Sequence, residues 1–479
     1  MLNENKLTAA NDFTSGPILS KMLRFMIPIL GALILQAAYG AVDIMVVGRF
    51  GTTEGISGVS TGSNIMNLFT FVLAGFATSV TVLIAKYLGE KKPEKISRVI
   101  GGSIVFFLCA GILFTVCLVV FARPIALLMQ APSEAIDHTV QYIRICGAGF
   151  VFILAYNLIS AVFRGLGDSK SPLLFVGIAC AVNIAGDLVL IAGFKMNVAG
   201  AAIATVAAQA VSVVLSIIII RRKKLVHLNR KDLRFNEELR GIIKIGIPIG
   251  FQELLTQISF MCLVAFINRL GLEASSGYGV ANKIVAFVML VPSSLMQSMS
   301  SFVSQNVGAK NERRATKSML TGMAIGALIG IFVFILIFFK GDFVSSIFTD
   351  NENVIRRSFE YLRGFAIEAV VTSVLFSFIG YFNGHGATVL VMIQGLAQSF
   401  IVRLPMSYIM SVQPDASLSM IGLAAPTATV FGIVLNLVFF IFYQKKLNMR
   451  GDENKENRAF FHCIFLAFIS ERNLSLCGR

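Results

Sequence analysis

The sequence predicts an all-α, polytopic membrane protein with twelve transmembrane helices in two pseudo-symmetric six-helix lobes. Three observations carry this. First, 56% of the 479 residues are hydrophobic and only 14% are charged, against about 25% charged in soluble chains; mean hydropathy is +0.78. Second, apolar stretches recur at 25–47, 60–85, 99–121, 142–163, 172–194, 198–220, 241–267, 280–305, 318–339, 361–382, 389–411 and 419–442, each near the roughly 20 residues that a bilayer requires. Third, the second half of the chain repeats the first.

The spans must be helices. Open sheet edges find no partners in hydrocarbon, and barrel strands would alternate in polarity rather than run apolar. The net charge of +15 resembles that of a nucleic-acid binder, but the placement of the basic residues gives it another meaning. Counted on alternate sides of the spans, 30 of the 41 Lys and Arg residues fall before the first helix, in 86–98, 164–170, 221–244 and 310–317, and after 444. The opposite connections hold seven: Arg49, Arg123, Lys195, Arg269, Lys340, Arg356 and Arg357. By the positive-inside rule both termini are expected in the cytoplasm of a multi-pass cell-membrane protein, and no nucleic-acid partner is expected. Residues 1–20 are polar and the first apolar run can span, so no cleavable signal peptide is expected. Most of the seven cysteines sit in the spans, which does not suggest a disulfide framework.

The repeat is direct. At an offset of 220, Ile27-Pro28-Ile29 pairs with Ile247-Pro248-Ile249, and Arg49 and Gly51 pair with Arg269 and Gly271. At 219, Gly89 and Lys91 pair with Gly308 and Lys310, Tyr142 and Arg144 with Tyr361 and Arg363, and Phe163, Gly165 and Gly167 with Phe382, Gly384 and Gly386. At 222, Gly200, Ala202 and Thr205 pair with Gly422, Ala424 and Thr427. Six helices is an even number, so both halves enter the membrane from the same side and the repeat is parallel, an arrangement seen in secondary transporters with midplane sites between the halves. The expected organisation is a first lobe over 1–220, a basic cytoplasmic linker over 221–240, a second lobe over 241–446 and a cytoplasmic tail over 447–479. The tail's apolar run AFFHCIFLAFIS is too short to span.

An ionisable residue in mid-span costs about 2.5–3.5 kcal/mol on insertion scales, which makes each one a functional candidate. Asp43 lies deep in the first span, and Asp187 lies in the fifth, one turn after Asn183 on the same face. Asn157 in the fourth span and Thr205 in the sixth add polar oxygens. Two acids with amide and hydroxyl neighbours suit a shared proton or a small hard cation such as Na⁺; the alternative is that they pin the packing of neighbouring helices. Asp43 and Asp187 are metal ligands only in the sodium case. The second half has its own candidates, Glu253 and Glu368, with Arg403 and Lys283 as possible ion-pair partners. Gln36 and Tyr39, with Glu253 and Glu368, are the candidates for substrate contact. HExxH, GxSxG, Walker and Rossmann patterns do not occur, and the four His residues fall in predicted loops or the tail, so an enzyme is not indicated.

Four features together resemble the multidrug and toxic compound extrusion (MATE) family: the first-span pattern of Pro28, Gln36 and Asp43-IMVVG; FRGLGDSKSP from Phe163 to Pro172; Asn183-x-x-x-Asp187; and the six-plus-six repeat. The likeness covers about residues 15–445. It implies a V-shaped pair of lobes, working as a monomer without a cofactor, that exchanges organic and often cationic compounds for H⁺ or Na⁺ by alternating access. Position by position, it implies that Asp43, Asn183, Asp187 and Thr205, with Asn157 nearby, form the cation-coupling site. Glu253 and Glu368 match the family's second-lobe acids only loosely. A lipid-linked oligosaccharide flippase is the alternative within the superfamily; it would need a strongly cationic cavity, whereas the clearest cluster here is acidic. A membrane-bound acyltransferase is a further alternative and would need a buried His.

Overall fold

The computed structural model describes residues 12–223 and 230–450. The part of the linker at 224–229 and the tail beyond 450 lie outside the described residues. Twelve spans follow in order. The first half comprises α1 (Ile18–Phe50), α2 (Thr53–Gly89), α3 (Pro93–Val120), α4 (Ser133–Ala148 with Phe150–Gly165), α5 (Lys170–Gly193) and α6 (Asn197–Arg222). The second comprises α7 (Glu237–Asn268), α8 (Leu272–Gly308), α9 (Glu312–Ser346), α10 (Glu352–Phe365 with Glu368–Gly384), α11 (Thr388–Ser411) and α12 (Leu418–Lys445). No strand occurs among the described residues. The helices are longer than the apolar runs that predicted them, because polar first turns extend beyond the hydrocarbon.

Two spans are broken by a bend. α4 bends by 54° and α10 by 47°. In α4 the bend falls at Gly149, where a Cβ would lie 2.3 Å from Val206 of α6; the position needs glycine so that the neighbouring helix can pass. In α10 the bend leaves Glu368 as the first residue of the second segment, where the positive end of the helix dipole favours an acid.

The repeat visible in the sequence is also a repeat of contacts. A Cβ on Gly58 would strike His138, and one on Gly277 would strike Arg357; Gly165 packs on Ile84, and Gly384 on Val303. Each of these partners is displaced by 219 residues. Lys91 and Lys310 both adopt φ +57° just past the ends of α2 and α8, and α5 and α11 each contain a π-helical stretch, at Leu188–Gly193 and Ala397–Arg403.

The packing crosses the halves. The start of α1 (Met22, Phe25, Met26, Ile29) is buried with Leu295, Met299 and Phe302 of α8 and Phe378 of α10. Conversely, the start of α7 (Leu239, Ile242, Ile245, Ile249) joins the main core of the first half. Only the later parts of these helices return to their own half: Val46 and Val47 to the first core, Leu263 and Ile267 to a second-half core with Tyr278 and Tyr361.

The side-chain hydrogen bonds joining the halves and the tightest glycine contacts between them lie at the end where α2 and α8 stop. There a Cβ on Gly89 would sit 2.0 Å from the Gln305 carbonyl oxygen, and one on Gly308 would sit 2.0 Å from that of Lys86. Higher up, a Cβ on Gly75 would lie 2.5 Å from the Gly250 nitrogen. The segment before α1 reaches across the same end. The Phe13 ring stacks on Phe302, with centroids 4.6 Å apart. Its N–H donates to Gln305, and its carbonyl accepts from Asn306 at 3.2 Å and Arg314 at 2.8 Å.

Candidate functional site

The aspartate pair predicted from sequence is assembled inside the first half. α1 brings Asp43, α5 brings Asn183 and Asp187, and α6 brings Thr205. Asp43 is 4% exposed, Asn183 1% and Asp187 0%. Thr205 donates its hydroxyl to Asp43 Oδ2 at 3.2 Å, and the Asp43 carboxyl faces both Asp187 and Asn183 closely enough to interact electrostatically. Asp43 is not in mid-helix as its apolar context suggested: it lies seven residues before Phe50, about 10 Å from that end of α1 at 1.5 Å per residue. It is therefore far from the end where the halves lock together. Asp187 immediately precedes the π-helical stretch of α5, a feature that often marks functional positions in helices.

This cluster leaves polar atoms unused. Asp43 Oδ1, both Asp187 oxygens, and the Asn183 Oδ1 and Nδ2 are buried without hydrogen-bond partners among the described residues. Such groups are costly unless something satisfies them. Several convergent oxygens with spare acceptor capacity can take a proton or a small oxygen-seeking cation, and the donor set fits either.

The other first-half candidates lie below the pair. Gln36 donates to the Tyr156 hydroxyl at 3.2 Å, and Gln209 donates to the Tyr39 hydroxyl at 3.3 Å, so both turn into their own lobe. Asn157 donates to the Ile153 carbonyl of its own helix at 2.8 Å. Tyr142 sits beside Asp43 and Thr205, a neighbour that its place in the repeat could have signalled. A broad apolar hollow of about 670 Å³, lined by Leu35, Leu173, Gly177 and Ala181 with Lys170 among its walls, runs along α1 and α5, the helices that carry the two aspartates.

In the second half, Glu368 is 8% exposed and accepts from the Thr429 hydroxyl at 2.8 Å. Gln398 donates to the same hydroxyl at 3.1 Å and accepts from Gln394. Glu368, Gln398, Thr429 and Arg403 line one small cavity. Glu253 is half-buried and not among the residues lining it, so of the two second-half acids only Glu368 shares a site with Arg403. Lys283 is exposed. His385, expected on a loop, lies in the turn just after α10, with its side chain covered and bonded to Glu312 at 2.9 Å.

Two six-helix lobes around buried, under-satisfied carboxylates define a multi-pass membrane transporter rather than an enzyme. The comparisons with known proteins agree. A family model described as MatE matches the chain twice, over residues 28–189 and 248–409, and the chain belongs to that family. It is 25% identical over 403 residues to "Probable multidrug resistance protein YpnP" of Bacillus subtilis (strain 168), covering 84% of this chain and 90% of the relative. It is 23% identical over 410 residues to "Multidrug export protein MepA" of Staphylococcus aureus (strain MSSA476), covering 83% and 88%. Its fold matches the solved structure "Outward-facing conformation of a multidrug resistance MATE family transporter of the MOP superfamily" with a TM-score of 0.85 at 20% identity, covering 92% of this chain and 98% of that one.

Proposed function

We propose that the protein is a secondary active multidrug exporter that exchanges organic, often cationic, compounds for H⁺ or Na⁺ at the Asp43–Asp187 site. The observation that carries this reading is the pair of fully buried carboxyl groups with three of their four oxygens unpartnered. An acid pair with no basic side chain among its close polar neighbours attracts a cation, and filling or protonating the pair removes that attraction. Ion and cationic substrate then weaken each other's binding by the same factor, which is the linkage an antiporter needs. The relatives named for multidrug resistance and export support the substrate class. The bilayer side is read from charge: Lys86, Lys91, Lys310 and Lys317 cluster where the halves lock, so the closed face is cytoplasmic, the state faces outward, and both termini are cytoplasmic. The reading needs no cofactor and no second copy.

Reconstitution in sealed vesicles tests it. A pH gradient and a Na⁺ gradient are imposed separately while release of a fluorescent organic cation is followed. One gradient is expected to drive uphill movement. Substrate affinity is expected to rise with pH in the proton case, or to fall with Na⁺ at fixed pH and ionic strength in the sodium case. Movement indifferent to both gradients would replace exchange with facilitated diffusion.

A further inference from the structure

The second lobe holds a small cavity of about 50 Å³ with largely apolar walls, into which Tyr278, Tyr361, Glu368, Arg403 and Ser407 bring polar groups and which Leu263 also lines. Four of its lining residues occupy places that build the first-lobe site or stand beside it. At the 220-residue offset of the repeat, which also separates the two family matches, Leu263 stands at the position of Asp43, Arg403 at that of Asn183 and Ser407 at that of Asp187. At 219, Tyr361 stands at the position of Tyr142. All four second-lobe residues line the cavity. The cavity is thus the counterpart of the acid site, rewritten in sign. Both aspartates are gone, the amide has become a guanidinium, and one carboxyl, Glu368, arrives from the bend of α10.

Arg403 is 7% exposed and held rigidly. It donates to the Ser259 hydroxyl at 3.2 Å and to the Ser399 hydroxyl at 3.1 Å, and it lies 4.2 Å from the centre of the Phe260 ring. Those partners are neutral. A buried guanidinium needs an opposite charge, and the acid facing it across the cavity is Glu368, with the Tyr278 and Tyr361 hydroxyls alongside. Glu368 Oε2 and Ser407 Oγ have no partner among the described residues, so the acid has room for a cation but already faces one that cannot leave.

We propose that Arg403 is a tethered cation that takes, beside Glu368, the place a free coupling ion takes in the first lobe, so that each cycle loads ions only at Asp43–Asp187. This rests on the proposed function for its meaning in transport, but its test does not. Melting midpoints of the purified full-length protein in nanodiscs are measured against Na⁺, with choline replacement at fixed pH and ionic strength, and against pH. The background is Asp43→Asn/Asp187→Asn, which removes the first-lobe site; loss of ion dependence between wild type and this background reads the first-lobe assignment by itself. Within the background, Arg403→Gln is expected to create a midpoint shift with Na⁺ or with acid that Glu368→Gln then abolishes, whereas Arg403→Lys, which keeps a tethered charge, creates none. A folded Arg403→Gln protein with no such shift would overturn the proposal, as would a Glu368-dependent shift while Arg403 is present. If Arg403→Gln alone does not fold, recovery of folding in Arg403→Gln/Glu368→Gln supports the charge pairing. Failure of both variants to fold would assign Arg403 to packing on Phe260 and overturn it.

Discussion

Replacing Gly89 or Gly308 with Ala is expected to push the transporter out of the outward-facing state proposed above without unfolding either lobe. At the crossing of α2 and α8, each new methyl would sit 2.0 Å from a backbone carbonyl oxygen of the other helix. Contacts below about 3 Å are not tolerated, so the helices must separate by about 1 Å where the two halves lock. Overpacking of this kind costs roughly 1–3 kcal/mol, and only the state in which the crossing is closed bears it. The equilibrium between outward- and inward-facing forms should therefore shift by about 5- to 150-fold. The assay is a pulsed spin–spin distance measurement between labels at Glu94 and Lys317, both exposed near the closed end, in a background without native cysteines. The short-distance population should fall in either variant, and export should fall with it. Gly279→Ala is the control, because nothing lies within 4 Å of a Cβ there. An unchanged distance distribution in properly inserted Gly89→Ala and Gly308→Ala would refute both the closed-face assignment and the claim that this crossing gates the protein.

Three further outcomes follow from the same geometry. Asp43→Asn and Asp187→Asn should each abolish resistance to organic cations at matched expression; normal resistance in both would leave the pair a packing role. Phe13→Ala removes a side chain that is 4% exposed and bridges Phe25 and Phe302. A change of this kind costs about 3–5 kcal/mol in a well-packed core, and the same label pair should report loss of the closed state. A cysteine placed at Arg234 should react with an impermeant reagent only in opened cells, and labelling in sealed cells would invert the topology.

Much of this protein was legible in its residues. Composition and span length forced a helical membrane fold, because backbone groups in hydrocarbon have no partners except within a helix. The repeat forced parallel lobes. The aspartates announced themselves because an acid in an apolar run is expensive enough to need a reason. Tertiary structure decided the rest. A run of apolar residues does not record which neighbour it packs against, so nothing in the sequence showed that α1 and α7 begin in the opposite half's core, or that α4 and α10 bend. Asp43 looked central because hydrophobicity extends past it; only the helix ends placed it near one face. Glu253 and Glu368 were both candidate partners for Arg403 and Lys283, but helix rotation, which sequence spacing leaves free over long separations, set Glu368 alone in the cavity with Arg403. The offset that revealed the repeat already contained that cavity, since positions 263, 403 and 407 follow from 43, 183 and 187. What the offset could not say is that a guanidinium and a carboxyl from different helices would meet there, because that depends on the bend of α10 and on which way each side chain is turned.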